Sequence, residues 1–117
     1  MTSPVGGLAF DPAEAMSVVA GDKQLLSEMV GLFCAESPRM LAAVGRSVRD
    51  GDAKGLARAA HAIKGSVGNF GKSESHTMAG VLEQKGIAQS MEGTGALYKS
   101  LESMIGRLER DLRAFCG

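Results

Sequence analysis

Residues 60–71 read Ala-His-Ala-Ile-Lys-Gly-Ser-Val-Gly-Asn-Phe-Gly, and their apolar side chains have helical spacing. Ile63, Val67 and Phe70 recur at steps of three and four, the pattern of an α-helix with one buried face. At about 100° per residue, these three lie roughly 160° to 240° from His61 around the helix axis. The spacing therefore predicts a histidine that points away from the core and into solvent.

The side of the predicted helix that carries His61 has one cation and very little side-chain bulk. Lys64, Gly65 and Gly68 all lie within about 60° of the histidine. Each glycine inside a helix lowers its stability by about 1 kcal/mol relative to alanine. Two glycines on one face therefore indicate that the face has a functional role. The simplest use is close approach by the backbone of a partner.

The chemistry of this face favours an anion over a metal ion. An imidazole serves as a base, a metal ligand or a nucleophile. His76 and Glu83 offer two further metal ligands, but their positions in the sequence do not predict convergence with His61. An ammonium at Lys64 would repel a metal cation and stabilise an anionic group arriving at the imidazole. We therefore expect no metal site.

Helix signals extend along the whole chain, and strand-type alternation is hard to find. A first short helix is predicted over about 12–20. A second begins after Asp22, and a third begins at Pro38, because proline interrupts a helix. Three longer helices are expected after Asp52, after Ser73 and after the glycine-rich break at 93–95. The pattern predicts an all-α protein, an antiparallel four-helix bundle with one or two short N-terminal helices.

Two glycines fall inside the helix predicted after Ser73. Gly80 and Gly86 both lower its helix propensity. We expect this helix to be the least stable of the bundle.

The length and composition of the chain limit the classes of function that it can have. The 117 residues predict one domain over 8–117 after a flexible lead-in at 1–7. Thirteen basic and 13 acidic residues give no net charge, which argues against a nucleic-acid partner. No apolar run approaches the roughly 20 residues of a membrane span. Cys34 and Cys116 are expected to be reduced thiols in a cytoplasmic protein.

The motif around the histidine resembles the histidine-containing phosphotransfer (HPt) family. It consists of His61, Lys64-Gly65, a small residue, and then Phe70-Gly71. Flanking patterns extend the resemblance over roughly residues 8–115; they are Phe10-Asp11, Gly21-Asp22, Leu25-Leu26, Leu32-Phe33 and Ala79-x-x-Leu82-Glu83. The resemblance implies a carrier that takes a phosphoryl group from a receiver-domain aspartate and passes it to another. It also implies that the chain is not an enzyme, since such domains have no ATP site.

The resemblance assigns expected roles to the histidine face. His61 would be phosphorylated through Nε2, and Lys64 would neutralise phosphoryl charge. Gly65 and Gly68 would let the receiver's loops approach. No cofactor is expected on this chain, because Mg²⁺ would be held by the partner receiver. The chain is expected to be a monomer whose partners are response-regulator receivers, including that of a hybrid histidine kinase.

Several further residues have two interpretations each. Glu83 either accepts a hydrogen bond from Nδ1–H of His61 or is a solvated carboxylate. Arg58 and Lys72 either add positive field for the phosphoryl group or are solvated charges. A receiver-docking patch, with core packing as the alternative, is predicted from Leu26, Met29, Phe33, Met40 and Ala57.

Three forms of this function remain open. The first is a free-standing carrier, which the start at Met1 and the end soon after Phe115 favour. The second is a domain of a larger hybrid or chemotaxis-type histidine kinase. The third is a module that binds a receiver without accepting phosphate, and the presence of both His61 and Lys64 argues against it.

Overall fold

The computed structural model describes residues 8–117, so the predicted lead-in at 1–7 lies outside the described residues. That part of the chain contains five helices and no strand: α1 (Pro12–Val18), α2 (Lys23–Asp50), α3 (Ala53–Gly68), α4 (Glu74–Ile87) and α5 (Thr94–Cys116). The predicted all-α class is confirmed. Over the same residues, no helix has both the length and the apolar character needed to cross a bilayer.

Helices α2 to α5 form a four-helix bundle in which each helix packs against two neighbours. The contacts run from α2 to α3, α3 to α4, α4 to α5, and from α5 back to α2. Neighbours are antiparallel. On α2 and α5, for example, Cys34 lies beside Arg113, whereas Gly45 lies beside Tyr98. The core is a single cluster to which every helix contributes.

The predicted interruption at Pro38 is wrong. Helix α2 is continuous over 28 residues and includes this proline. Ser37 is fully buried and its hydroxyl donates a hydrogen bond to the Glu109 carboxylate on α5. Phe33 and Val44 are buried on either side. Packing along the whole length of α2 thus outweighs the cost of about 3 kcal/mol for a proline inside a helix, and one short helix precedes the bundle.

Most predicted helix starts are confirmed by their capping contacts. The side chains of Asp11, Asp22, Asp52 and Ser73 each accept a hydrogen bond from a backbone N–H in the first turn of the helix that follows. These contacts satisfy donors that a helix leaves unpaired at its start. Helix α5 begins inside the predicted break, directly after Gly93, whose φ of 79° lies in the left-handed region.

Helix α1 and the residues before it are fastened to the bundle at two places. Phe10 is fully buried and packs edge-on against Phe115, with the ring centroids 5.6 Å apart. The Ala9 amide donates to the Asp111 carboxylate at 2.7 Å. Glu14 accepts a hydrogen bond from the Lys72 amide, also at 2.7 Å. Contacts thus join the N-terminal segment to the end of α5 and to the α3–α4 loop.

Helix α4 approaches α3 most closely at Gly86. This glycine is buried, and a methyl group placed on it would lie 2.6 Å from the Ala57 backbone nitrogen and 2.7 Å from the Ala53 carbonyl oxygen. Backbone atoms cannot move aside as a flexible side chain can. The glycine that lowers the helix propensity of α4 is therefore what lets α4 lie against α3.

Candidate functional site

His61 projects from the middle of α3 with 70% of its side chain exposed. The opposite side of the same helix supplies four fully buried residues, which are Leu56, Ala60, Ile63 and Val67. The predicted outward orientation of His61 is confirmed. The imidazole is open to a large partner.

Glu83 of α4 contacts the histidine directly. Its Oε2 lies 2.8 Å from Nδ1 of His61, and only 13% of its side chain is exposed. Of the two interpretations of Glu83, the structure has the hydrogen bond to His61, because the close packing of α4 on α3 brings the carboxylate there. A carboxylate only accepts hydrogen bonds, so the contact assigns the proton to Nδ1. In the neutral ring, Nε2 then carries a free lone pair.

Lys64 binds the other oxygen of the same carboxylate. Its Nζ lies 2.6 Å from Oε1 of Glu83, and 30% of its side chain is exposed. Oε1 is buried away from solvent, so its partner is the Lys64 ammonium and not water. One carboxylate therefore bridges the imidazole and the lysine, and holds both in place.

The neighbouring Lys64 and His61 both lower the pKa of the Glu83 carboxyl group. The hydrogen bond from Lys64 holds the pKa of Glu83 below its usual value of 4.5. Burial acts in the opposite direction, and the hydrogen bond with His61 lowers the pKa further. Glu83 is ionised at neutral pH.

This shift predicts a pH-dependent stability. The folded chain binds the Glu83 proton less readily than the unfolded chain does, so the carboxylate stabilises the fold above pH 4.5. The contribution is lost as the pH falls through the lower pKa of the folded state. In urea unfolding, we expect Glu83→Gln to cost up to about 1 kcal/mol at about pH 7 and much less at about pH 3. An equal cost at both pH values would contradict the ion pair.

The two glycines near His61 have different surroundings. Gly65 is exposed, and a methyl group added there would meet no atom within 4 Å, which leaves the space for a partner. Gly68 is half-buried, and its methyl group would lie 3.3 Å from Cδ2 of His76 on α4. Gly68 thus makes room for His76, a contact that the helical spacing of α3 alone does not predict.

The two predicted supporting cations are both exposed. Arg58 lies one turn before His61 on α3, and Lys72 follows the end of that helix. The backbone of Lys72 is fixed by Glu14, while its side chain is in solvent. Whether either contacts a phosphoryl group stays a prediction.

The docking patch stays a prediction, and for Leu26 and Phe33 its alternative, core packing, is observed. Leu26 and Phe33 are buried in the core, with 0% and 3% exposed, because they lie on the inward side of α2. Met29 and Met40 are half-buried. Ala57 is half-buried against α4.

A groove between α2 and α3 contains three of the predicted docking residues, Met29, Phe33 and Met40. It has a volume of about 150 Å³ and is lined by Met29, Leu32, Phe33, Glu36, Met40, Ser66, Asn69 and Phe70. Phe33 lies edge-on to Phe70, with ring centroids 5.3 Å apart. Leu32, which was not predicted as a docking residue, is 69% exposed. We call this surface the α2–α3 groove.

Metal ligands do not converge in the described part of the chain. No group of three or more His, Cys, Asp or Glu side chains there is arranged to hold a metal ion. At the histidine, the ion bound to the carboxylate is the lysine ammonium.

Comparison with known proteins gives one match. The family model described as the Hpt domain matches residues 28–111, a range that contains His61, Lys64 and Glu83. No curated protein and no solved structure matches the chain.

Proposed function

This chain belongs to the Hpt domain family, and from that premise we propose that it relays a phosphoryl group between receiver aspartates through His61. Membership implies histidine phosphotransfer in a phosphorelay. The observation that carries the proposal is the exposed imidazole whose Nδ1 is hydrogen-bonded to Glu83, since this leaves Nε2 as the nucleophile.

The proposed transfer needs no proton to leave the site. The lone pair of His61 Nε2 attacks the phosphorus of a receiver aspartyl phosphate. The N–P bond forms, the P–O bond breaks, and the receiver's aspartate leaves as a carboxylate. The ring keeps its proton on Nδ1 and becomes cationic, and the Glu83 carboxylate at 2.8 Å stabilises that charge. Transfer to a second receiver reverses these steps.

In the proposed transfer, Lys64 is the group that stabilises the negative charge of the phosphoryl group. It lies one helical turn from His61, and its position is fixed by Glu83. The partner receiver would supply Mg²⁺ and the remaining charge stabilisation. Most of the catalysis then comes from positioning and electrostatics.

We expect Lys64→Ala to slow phosphoryl transfer by about ten- to a hundredfold, as measured from single-turnover time courses. Part of that loss would come from Glu83, whose carboxylate is left without its cation beside the incoming phosphate. The matched experiment therefore makes Lys64→Ala in a Glu83→Gln background. Transfer by Lys64→Ala at the wild-type rate would contradict a role for the ammonium.

The α2–α3 groove is the proposed docking surface for the receiver. Its exposed apolar side chain is Leu32, and Met29 and Met40 widen the apolar area. Arg58 and Lys72 are exposed cations on or directly after α3, the helix that bears His61. They would complement the acidic pocket of a receiver.

The proposal is tested by mixing the chain with a panel of phosphorylated receivers and Mg²⁺. We expect the chain to acquire phosphate that is stable in base and labile in acid, as a phosphohistidine is. Incubation with ATP and Mg²⁺ alone should give none, because we propose a carrier and not a kinase. Binding of receivers without any transfer would overturn the proposal.

A further inference from the structure

Helix α4 carries a glycine, Gly80, that lies beside the Lys64 side chain of α3. It is half-buried, and a methyl group placed on it would lie 3.6 Å from Cδ of Lys64, an ordinary van der Waals distance. In the described part of the chain, no other atom beyond the backbone of α4 and the adjacent residues lies within 4 Å of that methyl position. The space beside Gly80 is therefore bounded by the lysine stem.

The stem of Lys64 passes Gly80 before its ammonium reaches Glu83. Glu83 lies three residues after Gly80 on α4, so both are on one side of that helix. The ammonium nitrogen is 2.6 Å from Oε1 of Glu83, while only 30% of the lysine side chain is exposed. A lysine can bury its methylene groups against a neighbouring helix and still bring its charge to a polar partner. The absence of a side chain on Gly80 leaves room for those methylene groups.

The ion pair at the end of that stem depends on this placement. Oε1 of Glu83 is buried away from solvent, so a displaced ammonium would leave it without a partner. The other oxygen of the same carboxylate is 2.8 Å from Nδ1 of His61. The position of Lys64 thus also affects the charge next to the imidazole. Helix propensity gives no reason for a glycine here, because alanine would stabilise α4.

We propose that Gly80 is a positioning residue that keeps the path of Lys64 to Glu83 open. A side chain larger than a methyl group at this point occupies the space of the lysine stem and moves the ammonium into solvent. Alanine fits, since its added carbon lies at van der Waals distance from Cδ of Lys64. The effect of Gly80 on phosphoryl transfer rests on the proposed function, whereas the placement of Lys64 does not.

Lysine labelling tests the placement without any phosphate. The whole chain reacts with a limiting amount of an acetylating reagent, and digestion with mass spectrometry measures the rate at each lysine. We expect Lys64 in the wild type to react about three- to tenfold more slowly than exposed Lys72, because the ion pair must open first. Glu83→Gln, the positive control, and Gly80→Leu should both raise the Lys64 rate towards that of Lys72. Gly80→Ala should leave it unchanged.

The comparison of alanine with leucine at Gly80 separates positioning from helix stability. The two residues have similar helix propensities, so the variants differ mainly in bulk. A purely structural role in α4 predicts the same Lys64 labelling for both, whereas a positioning role predicts faster labelling with leucine alone. If leucine unfolds the chain in a thermal melt, Gly80→Val adds a smaller obstruction at the same point. Unchanged Lys64 labelling in the folded variant, or an equal increase with alanine, would overturn the proposal.

Phosphoryl transfer gives the second measurement. We expect Gly80→Leu to slow transfer by about ten- to a hundredfold, as for Lys64→Ala, and the double variant to be little slower than either. Gly80→Ala should keep most of the rate. No transfer by the wild type would overturn the proposed function but leave the labelling result intact. Faster Lys64 labelling in Gly80→Leu together with transfer at the wild-type rate would overturn the role of Gly80 in transfer.

Discussion

Replacing His61 with glutamine is expected to reduce phosphoryl acceptance from a phosphorylated receiver by at least about a thousandfold. Glutamine offers no basic nitrogen that could form a bond to phosphorus. The side chain is 70% exposed and lies outside the core, so the fold should not change. The measurement is the phosphate carried by wild type and variant after equal incubation, with circular dichroism and a thermal melt on both.

The chain offers its own control for this experiment. His76 is the only other histidine and lies on α4 beside Gly68. We expect His76→Gln to accept phosphate within about twofold of wild type, since nothing places it at the Glu83 bridge. Equal acceptance by His61→Gln and wild type, or phosphate found on His76, would contradict the assignment of His61.

Replacing Gly86 with valine is expected to lower the free energy of unfolding by about 3 kcal/mol or more. Its first side-chain carbon alone would lie 2.6 Å from the backbone nitrogen of Ala57. Helices α3 and α4 must then separate, which also moves Glu83 away from His61. At roughly 4 °C per kcal/mol, the melting temperature should fall by about 12 °C. Urea unfolding and a thermal melt measure both quantities.

The same substitution at a second helical glycine tests whether the loss of stability at Gly86 comes from its contact with α3. Gly31 lies inside α2, but a methyl group there meets no atom within 4 Å. Gly31→Val should therefore change stability by no more than about 0.5 kcal/mol, the difference in helix propensity. Similar losses at both glycines would show that propensity, and not the contact with α3, decides the effect.

Local patterns predicted those features that depend on one helix at a time. The steps between Ile63, Val67 and Phe70 placed His61 on the exposed side. The capping residues marked where most helices begin, because a cap and its target lie within one turn. Pro38 failed as a helix start, since the stabilisation of α2 across it comes from α5, which is distant in sequence.

Contacts between helices could not be predicted from the same patterns. Glu83 reaches His61 only because Gly86 fixes how closely α4 lies on α3. Leu26 and Leu32 belong to the same series of apolar residues on α2, yet one is fully buried and the other is 69% exposed. The helical period places them about 120° apart around α2, but it does not say which of those two sides a neighbouring helix covers.

The contacts of the N-terminal segment extend the packed structure beyond the family match. The family match spans 28–111, whereas Phe10 is fully buried against Phe115, and both residues lie outside that span. A fragment cut to the matched span would lose this aromatic pair and the Glu14 hydrogen bond to Lys72. The packed part of the chain therefore continues beyond both ends of the span that family similarity alone would draw.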